Sequence, residues 1–187
     1  MTSLFAVFLI IVAVLLIIAA AAAVWYISTS NKLKTLVIKI EEARSGIDIA
    51  LTKRYDLLKK MFEITKGYAE FEKQTVIETI KMRTNKSISE CSQVNSELNE
   101  AARQLNLAVE AYPTLKADSS FKQLQITVAD VEEHLSASRR AYNSNVSIFN
   151  QLTVKFPSSI VANNLGFAPV DFFQADEEKR DDVHMSF

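Results

Sequence analysis

The chain has 187 residues, of which 49% are hydrophobic and 23% are charged, and its formal net charge is −1. A single cysteine excludes an intramolecular disulfide framework and a cysteine-based zinc site. The charge shows no uncompensated basic excess interleaved with stacking aromatics, which argues against nucleic-acid binding. Only three glycines and three prolines occur, so long helices have few places to break.

Residues 4–27 form the most distinctive stretch of the chain. Fifteen of these 24 residues are Leu, Ile, Val or Phe, and no charged residue precedes Lys32. A bilayer core needs about 20 apolar residues, and this set contributes about −5 to −9 kcal/mol to insertion. We predict a single transmembrane helix at residues 4–27 after a short outer N-terminus, residues 1–3. The lipid bilayer is therefore the first expected partner.

The residues flanking this stretch predict its orientation. Residues 1–3 carry no charged side chain, and an aromatic pair suited to the membrane interface, Trp25 and Tyr26, closes the apolar run. Four basic residues follow it: Lys32, Lys34, Lys39 and Arg44. The positive-inside rule then places the N-terminus outside and the rest of the chain in the cytoplasm, although a periplasmic orientation stays open.

A cleaved signal peptide is the alternative interpretation, with the small residues 21–23 as its cleavage site. Signal peptides begin with a basic region and have an apolar core of about 7–15 residues. This stretch has no basic residue at its start and a longer apolar core. The sequence therefore favours an anchor.

Residues 33–88 contain no proline and predict one long helix after the anchor. A break near Gly46 or Gly67 stays open, because each glycine costs about 1 kcal/mol in a helix relative to alanine. The basic group around Lys53 and Arg54 is interpreted as a solvated face. Apolar residues on one stripe predict the buried face: Leu51, Leu58, Phe62, Ala69, Val76 and Ile80.

A second helix is predicted over residues 93–111, with Ser92 as its N-cap and Pro113 ending it. Its apolar residues fall on one seam at spacings of three and four. That seam consists of Val94, Leu98, Ala101, Leu105, Ala108 and Tyr112.

The third helix has the clearest pattern, a coiled-coil-like seam that ends at Pro157. Ser120 and Gln123 resemble a capping box at its start. Two polar residues in the seam, Ser138 and Asn145, are expected either to fix the helix register or to meet water. Apolar residues recur every seven positions: Phe121, Val128, Leu135, Tyr142, Phe149 and Phe156.

The C-terminal region is predicted to contain one short helix. This helix covers residues 158–164, and Gly166 suits a left-handed C-cap. Together, residues 28–168 are expected to form an antiparallel bundle of three long helices plus this short one. From Pro169, acidic residues among few apolar ones predict a mobile tail, residues 169–187.

No arrangement of residues in the sequence indicates catalysis. There is no Gly-rich phosphate loop and no pair of histidines at metal-binding spacing, and His134 stands alone on a helix. Glu132 and Glu133 are interpreted as an exposed helix face, and the acidic run at residues 176–178 as solvated. We therefore predict no catalytic, cofactor-binding or metal-binding residue, no cofactor, no small-molecule substrate and no enzymatic activity.

Three motifs resemble signatures of the LemA family. They are IDIALTKRYDL at residues 47–57, continuing into TKGYA at 65–69; EAYPTLKA at 110–117; and RAYN at 140–143, followed by Phe149-Asn150, Phe156-Pro157 and Gly166-Phe167. One departure is Lys59-Lys60, where the family usually has Pro-Asn. The resemblance implies a bacterial inner-membrane protein with one N-terminal transmembrane helix and an antiparallel helical bundle. It brings no established activity and no catalytic residues.

Three functional hypotheses follow from these observations. We favour a membrane-anchored, non-enzymatic scaffold or adaptor that presents its cytoplasmic bundle to protein partners. The alternative is a signalling or stress-response component that couples membrane state to the bundle, which needs a hinge at Gly46 or Gly67. An enzyme is the third hypothesis, and the scarcity of His, Cys and Gly argues against it.

Overall fold

The computed structural model describes residues 2–66, 80 and 87–174, and this part of the chain is all-α, as predicted. No strand occurs in these ranges. The helices pack as a bundle preceded by one long apolar segment. They are α1 (Thr2–Lys66), α2 (Ile88–Ala111), α3 (Pro113–Ala117), α4 (Ser119–Val154) and α5 (Ser158–Asn164).

Helix α1 joins the apolar stretch and the first part of the bundle in one element of 65 residues. It runs without interruption through Gly46, so the break considered there does not occur. The prediction of one helix as far as residue 88 is wrong, because neither Ile80 nor Ser87 is helical. The second possible break, at Gly67, lies outside the described residues, as do Ala69 and Val76.

Helix α2 begins at a capping box five residues before the predicted cap. The Glu90 backbone N–H donates to Ser87 Oγ at 3.2 Å, and the Ser87 N–H donates to Glu90 Oε2 at 2.7 Å. These two bonds satisfy donors that a helix N-terminus leaves unpaired. The predicted start at Ser92 is therefore wrong, and the Ser92 hydroxyl instead donates to the Ile88 carbonyl at 3.1 Å within the helix.

Helix α4 also begins earlier than its predicted cap. The Phe121 N–H donates to Asp118 Oδ1 at 2.9 Å, so Asp118 caps the helix and the capping box assigned to Ser120 and Gln123 is wrong. The short helix α3 separates α2 from α4 and starts with Pro113 at a position where its missing N–H costs nothing.

The chain divides into two compact units. The first comprises residues 1–39 and 145–170, and the second comprises residues 40–144 and 171–187. In the first unit, the Asn145 side-chain amide donates to the Lys39 carbonyl at 3.5 Å. Helix α5 has the predicted bounds, and Gly166, two residues beyond its end, has the expected left-handed conformation with a φ of +72°.

The end of α5 is closed by two backbone bonds typical of a left-handed helix terminus. The Phe167 N–H donates to the Ala162 carbonyl at 3.0 Å, and the Gly166 N–H donates to the Asn163 carbonyl at 3.1 Å. This turn brings the Phe167 ring edge-on to the Phe149 ring, with centroids 5.6 Å apart. The first unit is therefore held by an aromatic contact as well as by helix packing.

In the second unit, α4 runs antiparallel to α1. Gly46 faces Ser138, and Arg54 faces Glu132, so residue numbers rise along one helix as they fall along the other. A Cβ added at Gly46 would lie 2.9 Å from Ser138 Oγ. The glycine therefore permits a close approach of the two helices, and Ser138 is half-buried at that contact.

The predicted seams form most of the core, with exceptions at their ends and at Val128, which is only half-buried. In α4, Phe121, Leu135, Tyr142 and Phe149 are buried, whereas Phe156 is 82% exposed because the helix ends at Val154. In α2, Tyr112 is exposed for the same reason, since it lies beyond the helix end at Ala111. The remaining predicted seam residues of α2 are buried: Val94, Leu98, Ala101, Leu105 and Ala108.

Candidate functional site

The N-terminal part of α1 exposes apolar side chains on all sides. Ile17 is 69% exposed and Val24 is 68% exposed, and the most apolar 18-residue window has a mean hydropathy of 3.3 with none of its residues buried. A helix that is apolar all round belongs in a protein core or a bilayer. Because no part of the described chain covers this one, it is a candidate membrane-spanning helix.

A buried arginine connects three helices in the second unit. The Arg54 side chain is buried in α1, although the sequence placed it on a solvated face. Its Nη1 donates to Asn95 Oδ1 at 3.1 Å, and its Nη2 donates to Asn99 Oδ1 at 2.7 Å, both on α2. Its Nε forms an ion pair with Glu132 Oε1 on α4. The prediction that Glu132 is simply part of an exposed helix face is therefore wrong.

The geometry of this group explains why an arginine occupies position 54. A planar guanidinium directs several N–H groups outward in fixed directions and reaches two asparagines and a carboxylate at once. A lysine ammonium has no such fork. The group also keeps the buried charge paired, which a low-dielectric interior requires. We name this group of four residues the Arg54 cluster: Arg54, Asn95, Asn99 and Glu132. The cluster therefore fixes the relative positions of the three helices.

Two asparagines on α4 bind the backbone of the chain that follows α5. In the first unit, Asn150 Nδ2 donates to the Val170 carbonyl and Asn150 Oδ1 accepts from the Val170 N–H, both at 2.8 Å. In the second unit, Asn143 makes the same pair of bonds with Phe173, at 3.1 and 2.9 Å. The prediction of a mobile tail from Pro169 is therefore wrong for these residues.

Phe173 is also held through its side chain. The ring is buried, and the Arg139 guanidinium carbon lies 4.6 Å from its centroid, a cation–π contact. The Gln174 N–H donates to Ser92 Oγ at 3.3 Å. Residues 170–174 are thus held by several contacts; the acidic run at residues 176–178 lies outside the described residues.

Tyr142 is a titratable group whose pKa is shifted by its surroundings in the second unit. Burial raises the pKa of its phenol above the ordinary value of 10.0, and the charges of Asp171, Glu41 and Cys91 add to that rise. The Arg44 guanidinium opposes it. The hydroxyl donates to the Asp171 carbonyl at 3.0 Å, so the neutral form is the one that the fold uses.

The remaining reactive side chains do not converge. Cys91 is buried in the core of α2, as a small filler, and His134 is exposed on α4. Within the described ranges, no three His, Cys, Asp or Glu side chains lie close enough together to hold a metal ion. The described part of the chain therefore has two notable features, which are the Arg54 cluster and the exposed apolar part of α1.

Comparisons with known proteins agree with the resemblance found in the sequence. The model of the LemA family matches residues 43–187. Protein LemA of Metamycoplasma hominis is 31% identical over 166 residues, which cover 86% of this chain and 76% of that protein. Magnetosome protein MamQ of Magnetospirillum gryphiswaldense is 27% identical over 73 residues, 39% of this chain and 27% of that protein.

The similarity to magnetosome protein MamQ is local. Magnetosome protein MamQ 2 of Paramagnetospirillum magneticum is likewise 28% identical over 74 residues, 40% of this chain and 27% of its own length. The chain thus matches about a quarter of each MamQ protein, whereas the LemA similarity covers most of both chains. Together with the family match over residues 43–187, this extent of similarity shows that the chain belongs to the LemA family.

Proposed function

We propose that the protein is a membrane-anchored helical scaffold or adaptor of the bacterial inner membrane, which presents its bundle to protein partners. The observation that supports this most is the exposed apolar part of α1. Side chains such as Ile17 and Val24 are about two-thirds exposed, far more apolar surface than a water-soluble protein tolerates in one patch. A bilayer satisfies this surface, and residues 4–27 are long enough to span one.

The topology that we propose has the N-terminus outside and the bundle in the cytoplasm. Lys32, Lys34 and Lys39 follow the apolar stretch and are all exposed, so they are free to interact with the cytoplasmic leaflet. Basic residues close to the end of a span favour the cytoplasmic side. In this proposal the membrane span comprises residues 4–27 and the bundle comprises residues 28–168.

A non-enzymatic role is part of the same proposal. The Arg54 cluster joins three helices through side chains that bind one another, which favours a structural role over a catalytic one. Membership of the LemA family and the local similarity to magnetosome protein MamQ fit a membrane-associated protein. The signalling alternative requires a hinge at Gly46 or Gly67; α1 continues through Gly46 as unbroken helix, and Gly67 lies outside the described residues.

Cysteine labelling in intact cells tests the topology. In a Cys91→Ser background, Ser3→Cys and Ser136→Cys place one thiol on each side of the span, and position 136 is exposed on α4. A membrane-impermeant maleimide that enters the periplasm should label the first variant in intact cells and the second only after lysis. Labelling of Ser136→Cys in intact cells would overturn the cytoplasmic placement.

Proximity labelling tests the adaptor role. A labelling enzyme fused after Phe187 should mark a reproducible set of proteins in the membrane fraction. The matched control carries residues 1–31 and the same enzyme, so that proteins which merely lie near an anchored reporter are subtracted. A set no larger than that of the control contradicts the adaptor role without affecting the topology.

A further inference from the structure

Three exposed apolar side chains surround the turn between α4 and α5. Val154 ends α4 and is 68% exposed, Phe156 lies in the turn and is 82% exposed, and Ile160 lies in the first turn of α5 and is 50% exposed. By contrast, Val161 and Ala162 are fully buried, so α5 already packs through its other face. We name Val154, Phe156 and Ile160 the turn patch.

The turn patch lies level with the end of the apolar stretch of α1, within the first unit. Asn145 of α4 contacts Lys39 of α1, and the order of the contacts along these two continuous helices is antiparallel. Nine residues further along α4 is Val154, and nine residues back along α1 is Ser30. Since both helices rise about 1.5 Å per residue, these two residues lie at the same height.

Burial along α1 supports this register independently. Ser30 is the first buried side chain of the described part of α1, followed by Leu33, and the first unit contains only residues 145–170 to cover them. Tyr26 lies four residues before Ser30, a distance of about 6 Å along the helix. The turn patch is therefore at the depth where aromatic residues line a membrane interface.

The first unit also has an unusual charge. Residues 1–39 and 145–170 include no aspartate or glutamate. They include four lysines, all exposed: Lys32, Lys34, Lys39 and Lys155. Lys155 lies inside the turn patch, directly before Phe156. A surface that combines exposed apolar side chains with lysines and no acidic group complements anionic lipid headgroups.

We propose that the turn patch inserts into the headgroup region of the bilayer that holds α1, forming a second lipid contact with a preference for anionic lipids. Val154, Phe156 and Ile160 enter the boundary between headgroups and acyl chains, where an apolar side chain leaves water. Lys155 and Lys32, which lies five residues beyond Ile27, remain among the phosphates. This proposal rests on the anchoring of α1 in a bilayer and is independent of the scaffold role.

The test uses tryptophan fluorescence of the full chain reconstituted in vesicles. The native chain has one tryptophan, Trp25, which reports the anchor itself. Trp25→Phe with Phe156→Trp then places the only indole in the turn patch. The matched control is Trp25→Phe with Ile38→Trp, because Ile38 is 68% exposed in the same unit and lies eleven residues beyond Ile27, about 16 Å along α1.

Quenching by lipids brominated near the headgroup distinguishes the outcomes. We expect strong quenching for the Phe156→Trp chain, little for the Ile38→Trp chain, and more in phosphatidylglycerol than in phosphatidylcholine vesicles. Equal quenching in both lipids overturns the anionic preference. An unquenched but blue-shifted Phe156→Trp emission shows a protein contact, such as a second copy, and overturns the lipid contact. Absence of quenching at native Trp25 would instead overturn the anchor.

Discussion

The Arg54 guanidinium donates to the side-chain oxygen of Asn95 at 3.1 Å across 41 residues of sequence. Both side chains are buried, so each satisfies a polar group that would otherwise lose its hydrogen bonds to water. The charge of Arg54 is paired with Glu132, which keeps part of its surface in water. Helix pairing in the second unit thus depends on a polar contact as well as on the apolar seams.

Replacing Arg54 with alanine should lower the free energy of unfolding by about 2–4 kcal/mol, because hydrogen bonds to a charged group contribute about 1.5–3 kcal/mol each. Arg54→Lys should restore only part of this loss, since the ammonium cannot reach three partners. Lys53→Ala, at an exposed neighbouring position, should stay within about 0.5 kcal/mol. Denaturant unfolding of the detergent-solubilised chain, followed by circular dichroism, measures all three. Equal losses for Arg54→Ala and Lys53→Ala would contradict the role of the cluster.

The contact between Gly46 and Ser138 predicts a non-additive pair of substitutions. Gly46→Ala alone should destabilise the chain, because its Cβ would lie 2.9 Å from Ser138 Oγ. Gly46→Ala combined with Ser138→Ala removes that hydroxyl and should gain up to about 1 kcal/mol from helix propensity. Ser138→Leu should cost about 1–3 kcal/mol by overpacking. Strictly additive effects in this double-mutant cycle would show that the helices do not touch here.

The two asparagine–backbone pairs predict local changes in hydrogen exchange. Asn150→Ala removes the acceptor of the Val170 N–H, and Asn143→Ala removes that of the Phe173 N–H. Asn150→Ala should speed hydrogen exchange at the Val170 amide, and Asn143→Ala at the Phe173 amide. We expect each increase to be at least about tenfold, the equivalent of about 1.4 kcal/mol. Asn163→Ala, an exposed asparagine of α5, is the control. Unchanged exchange at both amides would mean that these pairs are not formed in solution.

Alanine substitutions at two positions of one heptad seam should differ strongly in their effect on stability. Phe149 is buried against the Phe167 ring, so Phe149→Ala should cost about 3–5 kcal/mol through lost burial and a cavity. Phe156→Ala should change the free energy of unfolding in detergent by no more than about 0.5 kcal/mol, because its ring is exposed. A large loss for Phe156→Ala would place that ring in the core.

Burial of Tyr142 predicts a loss of stability at alkaline pH. Because the folded pKa is raised above the ordinary 10.0, both states keep the proton below pH 10 and stability is complete there. Above pH 10 the unfolded chain loses its proton first, so stability falls until the pH passes the folded pKa. Tyr142→Phe should weaken this dependence above about pH 10 while costing about 0.5–1.5 kcal/mol at neutral pH. Denaturant midpoints across that range measure it, and parallel curves would contradict the assignment.

The sequence was sufficient for the elements that periodicity and backbone chemistry determine. The apolar span, the seam of α2 and the bounds of α5 with its Gly166 cap were all predictable, because each depends on local composition. Periodicity has no information on where a helix stops, so Phe156 was assigned to the core although α4 ends at Val154. The start of α2 carries the capping-box signature Ser87-x-x-Glu90, whereas Ser92 was predicted as its cap.

Polar contacts between distant helices could not be predicted in the same way. Arg54 lies among lysines in the sequence, and only the positions of Asn95 and Asn99 on another helix explain why it is buried. The ordered segment at Val170 and Phe173 was hidden by the acidic composition that follows it. Its partners are Asn150 and Asn143 on α4. Nothing in the sequence around these two asparagines indicates that they bind a backbone segment 20 to 30 residues later.

The contact between Lys39 and Asn145 joins residues that are 106 positions apart, and this separation affects how the protein is made. At a translation rate of about 5–20 residues per second, α1 leaves the ribosome at least about 5 s before the segment that covers Leu33 and Leu36. The apolar stretch therefore has time to enter the membrane first. On the proposed anchoring, closure of the first unit over these two leucines then takes place beside a bilayer that already holds the span.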